Sequence, residues 1–225
     1  MRVLGILAVA VFFGAGLLFF RPCKSAAQEG QRTDFSLRTT DDYIKKMLVP
    51  RRAEWQMPGK VVDALGIKEG DKVADIGAGA GYFTFLLSKK VGDKGKVYAV
   101  DVERKYLEYI ESRAKKEGVK NIECILAPQD DPRLPKASID LAFMCTTLVY
   151  IGKKDKYLKE LKDALKEGGR LAIVDYHMVN SKPDGPPPYW RIAREKVMEY
   201  ALRAGFRLEA EYFFLPFQYF LVFTK

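Results

Sequence analysis

The chain has 225 residues, which suits one domain of about 200 residues behind a short N-terminal segment. Its composition, 48% hydrophobic and 30% charged, excludes wholesale disorder, and three cysteines without a CxxC pair exclude a disulfide framework. A single histidine argues against a metal site, and the net charge of +9 is too moderate to indicate nucleic acid, so we expect neither as a partner.

The first predicted element is the uncharged, mostly apolar run at residues 3–20, which as a helix would span about 27 Å. Basic residues are more numerous after this run than before it, which favours an uncleaved membrane anchor with a cytoplasmic domain. The alternative is a signal peptide, with export after cleavage near Ala27. Residues 1–27 are therefore predicted as an anchor or a signal peptide. Residues 28–57 are predicted as a linker and cap segment.

From residue 58 to residue 225 apolar runs alternate with helical patterns. Strands are predicted at residues 72–76, 96–100, 121–126, 139–144 and 170–174, and helices at residues 60–65, 82–90, 104–117, 157–165 and 191–204. Strands that alternate with helices predict a parallel sheet with helices on both faces. The last two β-rich runs, 208–214 and 217–223, are too close for a helical crossover, so they must form an antiparallel hairpin.

A glycine-rich turn follows the first predicted strand in the sequence VADIGAGAGYFT, with Asp75 two residues before the first glycine. Glycines let the backbone approach a ligand closely, and ligands of such sheets bind at the C-terminal ends of the strands. The second strand ends in VYAVD, where Asp101 could accept hydrogen bonds from both hydroxyls of a ribose. The third glycine comes one residue earlier than in the dinucleotide fingerprint, which conflicts with a nicotinamide-dependent reductase.

These two motifs resemble those of class I S-adenosylmethionine-dependent methyltransferases, and the resemblance covers residues 55–225. It implies an α/β, three-layer, Rossmann-like fold whose seven-stranded sheet has the order 3-2-1-4-5-7-6 with the last strand antiparallel. It also implies S-adenosylmethionine as the cofactor and methyl transfer to a small-molecule or lipid acceptor by in-line displacement. The alternative is a catalytically silent cofactor-binding domain of a membrane-associated assembly. The acceptor and the oligomeric state stay open.

The resemblance further implies roles for individual residues around the cofactor. The turn residues, expected beneath the methionine part, are Gly77, Ala78, Gly79 and Gly81. Asp75 would help to hold the amino-acid end, Asp101 the ribose, and Val102 would pack beside the adenine. Asp130 or Asp131 would meet the adenine amino group, and spacing alone does not separate these two. The resemblance also implies that the segment with Trp55 folds over the cofactor site as a lid; the alternative is that Trp55 packs on the core.

Candidates for proton transfer follow the fourth and fifth strands. His177, the only histidine, follows the fifth strand and should face the same crevice, where it could accept a proton near neutral pH; otherwise it is a loop residue. Past the fourth strand the chain offers Tyr150 but neither an acid nor a histidine, which leaves the need for a general base open. Cys124 and Cys145 should lie about 14 Å apart in this strand order, so we expect free thiols.

Overall fold

The structure is a computed structural model that describes residues 39–179 and 185–225. The predicted anchor or signal peptide at residues 1–27 lies outside the described residues. Within the described ranges, no helix combines the length and the apolar character needed to cross a membrane.

A seven-stranded sheet forms the central layer, with the order β3-β2-β1-β4-β5-β7-β6 that the resemblance predicts. The strands are β1 (Lys72–Ile76), β2 (Lys96–Asp101), β3 (Ile122–Leu126), β4 (Ile139–Cys145), β5 (Leu165–Tyr176), β6 (Arg207–Tyr212) and β7 (Gln218–Thr224). Strands β1 to β5 are parallel, and β7 is antiparallel to both of its neighbours, β5 and β6. The predicted final hairpin is therefore confirmed, and β7 begins at the edge where the parallel strands end.

Seven α-helices are described in the two ranges, and five of them flank the sheet. The helices are α1 (Thr40–Met47), α2 (Arg52–Gln56), α3 (Pro58–Ala64), α4 (Thr84–Val91), α5 (Arg104–Glu117), α6 (Lys154–Ala164) and α7 (Arg194–Arg203). Helices α3, α4 and α5 cover one face of the sheet, and α6 and α7 cover the other. Alternate strand residues point into these two apolar layers, which confirms the predicted three-layer arrangement.

The predicted bounds are least accurate between β4 and β5. Helix α6 begins three residues before the predicted helix, at Lys154, and β5 begins directly after it, at Leu165. The predicted elements leave residues 166–169 unassigned, but Gly168 and Gly169 lie inside β5, where Gly168 has a φ of 73°. A shift in register between β4 and β5 accompanies them, as at a β-bulge.

The two described cysteines lie on strands that are not neighbours in the sheet. Two strands separate β3 from β4, and both Cys124 and Cys145 are free thiols, as predicted. Burial raises the pKa of Cys124 to about 12 and that of Cys145 to about 11. Both therefore stay protonated near neutral pH and are poor nucleophiles.

Candidate functional site

The turn between β1 and α4 needs glycine at three positions. Positive φ angles occur at Gly77 (73°), Gly79 (52°) and Gly81 (76°). The N–H groups of Gly77 and Ala78 donate to the carbonyl of Val100, at 2.8 and 3.1 Å, which ties the turn to the end of β2. A Cβ on Gly77 would lie 2.4 Å from Thr147 Oγ1. The segment that follows β4 therefore also packs closely against the turn.

Asp101, the last residue of β2, is bonded to this turn. Its carboxylate accepts hydrogen bonds from the N–H groups of Gly79, at 2.8 Å, and Glu103, at 3.0 Å. A carboxylate can accept roughly four hydrogen bonds, so acceptor positions remain for a ligand. Burial raises the pKa of Asp101, and the two N–H groups oppose that rise because they favour the charged form.

Asp75 lies beneath the turn and is almost fully buried, with 3% of its surface exposed. The hydroxyl of Thr84 donates a 2.6 Å hydrogen bond to its carboxylate. Burial raises the pKa of Asp75 to about 7, the Thr84 bond opposes the rise, Asp101 adds to it, and the positive charge of Arg52 opposes it. This carboxyl therefore changes its protonation state near neutral pH, where a bound cation would favour the ionised form.

Helices α1 and α2 form a cap over the turn. Met47, at the end of α1, places its sulfur 2.8 Å from where a Cβ on Gly79 would lie. Arg52, at the start of α2, donates from Nη1 to the Met47 carbonyl at 2.9 Å and from Nε to Gln56 Oε1. Its guanidinium carbon lies 4.1 Å from the centre of the Tyr82 ring, within the range of a cation–π contact.

A buried pair of amides joins the cap to the sheet. Gln56 Nε2 donates to Gln218 Oε1 at 2.9 Å, and both residues are only 1% exposed. The same nitrogen lies 3.1 Å from Cys145 Sγ at the end of β4. Gln218 is the first residue of β7, so α2 is bonded to both β4 and β7 at the edge of the sheet that carries the glycine turn.

Trp55 shows that the cap also packs on the core. Its ring centre lies 5.8 Å from that of Tyr176, at the end of β5, and 6.2 Å from that of Phe217. Such aromatic pairs stabilise by about 0.5–1.5 kcal/mol beyond the area that they bury. Both interpretations of Trp55 therefore apply: it lies in the segment that covers the turn, and it packs on the sheet.

The residues predicted for the adenine end lie past β2 and β3. Val102, directly after β2, is 60% exposed. The structure distinguishes the two aspartates: Asp131 Oδ1 accepts a 2.7 Å hydrogen bond from the N–H of Arg133, as turn aspartates do, whereas Asp130 Oδ2 lies 3.9 Å from Lys153 Nζ. Their contacts with adenine stay predictions.

Tyr150 ends a short 3₁₀ helix, Leu148–Tyr150, that follows β4. Its ring packs edge-on against Trp190, with 5.4 Å between the ring centres. Burial raises the pKa of Tyr150 to about 12, and the charge of Asp175 adds to that rise. The phenol is therefore neutral near pH 7 and can donate a hydrogen bond, but it is a poor base.

His177 lies past the end of β5, but towards β7 rather than beside the glycine turn. Its backbone N–H donates to the carbonyl of Phe217 at 3.1 Å, and its ring centre lies 5.8 Å from that of Tyr219. With Arg194 and Glu211 it lines a cavity of about 440 Å³ bounded by α7, β6 and β7. His177 and the glycine turn therefore lie at the same edge of the sheet, because the start of the antiparallel strand β7 lies next to the end of β5. The crevice that His177 was expected to share with the turn is not shown.

Three polar residues of this edge escaped the sequence interpretation. Two of them are Gln56 and Gln218; the sequence signal for Gln218 was a lone amide at the start of an otherwise largely apolar strand. The third is Asp175, which is fully buried: Oδ1 accepts from the N–H of Tyr176 at 2.8 Å, and Oδ2 has no hydrogen-bond partner in the described part of the chain. Burial raises its pKa to about 7. Its sequence signal was an acid near the end of β5, as Asp75 and Asp101 are at the ends of β1 and β2.

Comparison with known proteins agrees with this geometry. A family model described as a methyltransferase domain matches residues 67–203, more than half of the chain. The crystal structure of a SAM-dependent methyltransferase from Aquifex aeolicus is 33% identical, with a TM-score of 0.77, and the match covers 83% of this chain and 98% of that chain.

Two curated relatives are more distant. Aklanonic acid methyltransferase DauC of Streptomyces sp. (strain C5) is 26% identical over 64% of this chain and 66% of its own length. The ubiquinone/menaquinone biosynthesis C-methyltransferase UbiE of Hahella chejuensis (strain KCTC 2396) is 31% identical over 56% of this chain and 49% of its own length. The chain thus spans about half to two thirds of these relatives. Sheet order, glycine turn, family model and solved relative agree: the chain belongs to the S-adenosylmethionine-dependent methyltransferases, with S-adenosylmethionine as its cofactor.

Proposed function

We propose that this chain transfers the methyl group of S-adenosylmethionine to a small-molecule acceptor. The observation that carries the proposal is the meeting of the glycine turn, Asp101 and Asp75 under one cap. When bound, the cofactor supplies an electrophilic methyl group on a sulfonium sulfur. The residues of the chain hold the reactants in line and exclude water, and such positioning can supply much of the rate without a strong acid or base.

The residues at the turn fit this cofactor. The three glycines let the backbone turn tightly at positive φ, and at Gly77 a Cβ would lie 2.4 Å from Thr147 Oγ1. Asp101 keeps acceptor positions for the ribose hydroxyls, and Asp75 in its ionised form suits the amino group of the methionine part. Val102 and Asp130 or Asp131 would then lie at the adenine end.

An aromatic surface supports an acceptor with an apolar or aromatic part. Tyr150 and Tyr189 both pack edge-on against Trp190, with ring centres 5.4 and 6.4 Å apart, and Tyr189 is 80% exposed. Large exposed aromatic residues that cluster in this way are typical of binding surfaces. The names of the curated relatives, which refer to aklanonic acid and to ubiquinone and menaquinone biosynthesis, are consistent with such an acceptor.

For proton transfer we propose His177 as the base and Tyr150 as a hydrogen-bond donor. An imidazole can accept a proton from an O–H or N–H nucleophile. The pKa of Tyr150, raised to about 12, keeps its proton on the phenol, where it can orient an acceptor oxygen.

The location is proposed from the sequence alone. The run at residues 3–20, followed by more basic residues than precede it, supports a membrane anchor with a cytoplasmic catalytic domain, and so a lipid acceptor stays within the proposal. Alkaline extraction of native membranes, followed by mass spectrometry of the N-terminus, tests it. Retention with an intact N-terminus is expected, whereas a soluble chain that begins near Gln28 would favour cleavage and export.

The activity itself is tested by incubating the full chain with S-adenosylmethionine and acceptor classes in turn, including quinone precursors, other aromatic phenols and membrane lipids. Acceptor-dependent formation of S-adenosylhomocysteine is expected, together with a methylated product of matching mass. The Asp101→Ala variant serves as the control for contaminating activity. Binding of the cofactor without turnover on any class would instead favour the catalytically silent alternative.

A further inference from the structure

We infer that Arg52, carried by the cap helix α2, binds the carboxylate of the methionine part of the cofactor. The inference deepens the proposed function and rests on it, because it requires the cofactor at the glycine turn. It assigns to the cap a direct part in cofactor recognition rather than that of a cover alone.

The two charges of the methionine part each need a partner in the site. The methionine part carries a cationic amino group and an anionic carboxylate, and Asp75 can serve only the cation. A cationic side chain close to Asp75 would suit the carboxylate. The charge of Arg52 opposes the burial-driven rise in the pKa of Asp75, and it acts in the same direction on Cys145 and Tyr176. Contacts also place Arg52 near these groups, because Gln56, which accepts from Nε of Arg52, lies 3.1 Å from Cys145 Sγ at the end of β4.

Arg52 also retains hydrogen-bonding capacity for a ligand. Arginine carries N–H donors on all three of its nitrogens. Nε donates to Gln56 and one N–H of Nη1 donates to the carbonyl of Met47. Within the described ranges, Nη2 has no acceptor among the chain's own atoms. A guanidinium that is held on one side and free on the other can present the fork that binds a carboxylate.

Buried contacts of the cap hold Arg52 in place. Gln56, one turn after Arg52 on α2, accepts from Nε of Arg52 and donates to Gln218 on β7. Tyr82 supports the guanidinium from its ring face, at 4.1 Å. Buried amides with complete hydrogen bonds are costly to move, so they hold the arginine in one place. We therefore assign Gln56 and Gln218 as positioning residues for Arg52.

Calorimetry with two ligands tests the inference on the full chain. S-adenosylhomocysteine carries the carboxylate, and 5′-(3-aminopropylthio)adenosine keeps the adenosine, the sulfur and the amine but lacks the carboxylate. Arg52→Met should weaken binding of the first ligand by about 10-fold to 100-fold and that of the second by less than about 2-fold, because only the first loses a charge-assisted bond. Arg52→Lys should restore part of the loss. Arg51→Met, a neighbouring exposed arginine, should change neither affinity.

The outcomes separate the inference from the function on which it rests. Equal weakening of both ligands by Arg52→Met would show a structural role for Arg52 and overturn the inference, as would unchanged binding of both. In either case, tight binding to the unaltered chain leaves the proposed function standing. If the unaltered chain bound neither ligand, the proposed cofactor site would fail and the inference with it.

The positioning roles have their own readout. Gln56→Leu and Gln218→Leu should each weaken the binding of S-adenosylhomocysteine more than the binding of the analogue without the carboxylate. Combined with Arg52→Met, neither should add a further ligand-specific loss, because all three changes remove the same contact. A general loosening of the cap would weaken the binding of both ligands alike, and that result would contradict the assignment of Gln56 and Gln218 as positioning residues.

Discussion

The carboxylate of Asp101 accepts a 2.8 Å hydrogen bond from the N–H of Gly79, 22 residues earlier in the chain. The acid at the end of β2 and the turn after β1 are therefore one bonded unit, although the sequence presents them as two separate motifs. In the proposed site the same carboxylate also meets the ribose, so that ligand binding and the shape of the turn depend on one residue.

Asp101→Ala should therefore weaken S-adenosylhomocysteine binding by about 1.5–3 kcal/mol, the range for hydrogen bonds to a charged group. Calorimetry at neutral pH measures the change. Glu108→Gln, which removes an exposed acid on α5, serves as the control and should leave the affinity unchanged. An unaltered affinity in Asp101→Ala would remove the ribose assignment.

Gly77→Ala should destabilise the turn more than Gly118→Ala destabilises the end of α5. Both glycines have a left-handed conformation, with φ of 73° and 71°, so each alanine costs about 1–2 kcal/mol of strain. Only at Gly77 would the new Cβ also meet a side chain, since it would lie 2.4 and 2.5 Å from two atoms of Thr147; at Gly118 nothing lies within 4 Å. Overpacking of this kind adds about 1–3 kcal/mol.

Urea unfolding of both alanine variants checks this difference. A larger loss at Gly77, accompanied by loss of S-adenosylhomocysteine binding, is expected, and Gly118→Ala should bind normally. Equal losses of stability would show that backbone strain alone, and not the contact with Thr147, requires glycine at the turn.

Binding should depend on pH through Asp75. The pKa of its carboxyl is raised to about 7 by burial, and a bound amino group would lower it. Affinity for S-adenosylhomocysteine should therefore rise as the pH rises towards about 7 and level off above it. Asp75→Asn should bind more weakly at about pH 8 and lose this dependence. Calorimetry between about pH 6 and pH 8 measures both; the same slope in the variant would assign the dependence to another group.

Asp175 should make the free protein less stable as the pH rises. Its carboxyl has a folded pKa of about 7 because of burial, so the folded chain binds the proton more tightly than the unfolded chain does. The stabilisation from that proton is complete below about pH 4 and is lost progressively as the pH rises through about 7.

Asp175→Asn keeps an acceptor for the N–H of Tyr176 and cannot ionise. Relative to the unaltered chain, its free energy of unfolding should increase by about 2–3 kcal/mol between about pH 5 and pH 8. Urea unfolding at the two pH values gives this difference directly. Asp93→Asn, at an exposed turn, should show no such change, and a flat difference for Asp175→Asn would contradict the buried ionisation.

His177→Ala should lower kcat by about 10²-fold and leave the affinity for S-adenosylhomocysteine nearly intact, if the imidazole is the base that we propose. Because the ring packs against Tyr219, unfolding must be measured in parallel to separate catalysis from stability. Full activity in a stable variant would make His177 a loop residue that lines the cavity next to β6 and β7.

Local motifs were the predictable part of this protein. The turn, Asp101 and the strand order follow from a resemblance that residues 72–101 carry almost by themselves. The cap was not predictable in the same way, because its bond between Gln56 and Gln218 joins residues 162 positions apart and neither residue belongs to a recognisable motif. The early start of β5 was not predicted for a related reason: only pairing with β4 shows that Leu165 and Arg170 belong to one strand with an irregularity between them.

The position of β7 also bears on how the protein forms during synthesis. The ribosome makes α2 early, but the partner amide of Gln56 lies on the last strand of the sheet, 162 residues later. Contacts of such long sequence separation form slowly, because loop closure must precede them. A nascent chain can therefore complete the glycine turn and its bond to Asp101 well before the cap can dock. Capture of the cofactor under a closed cap should accordingly be among the last steps of maturation, after β7 has inserted between β5 and β6.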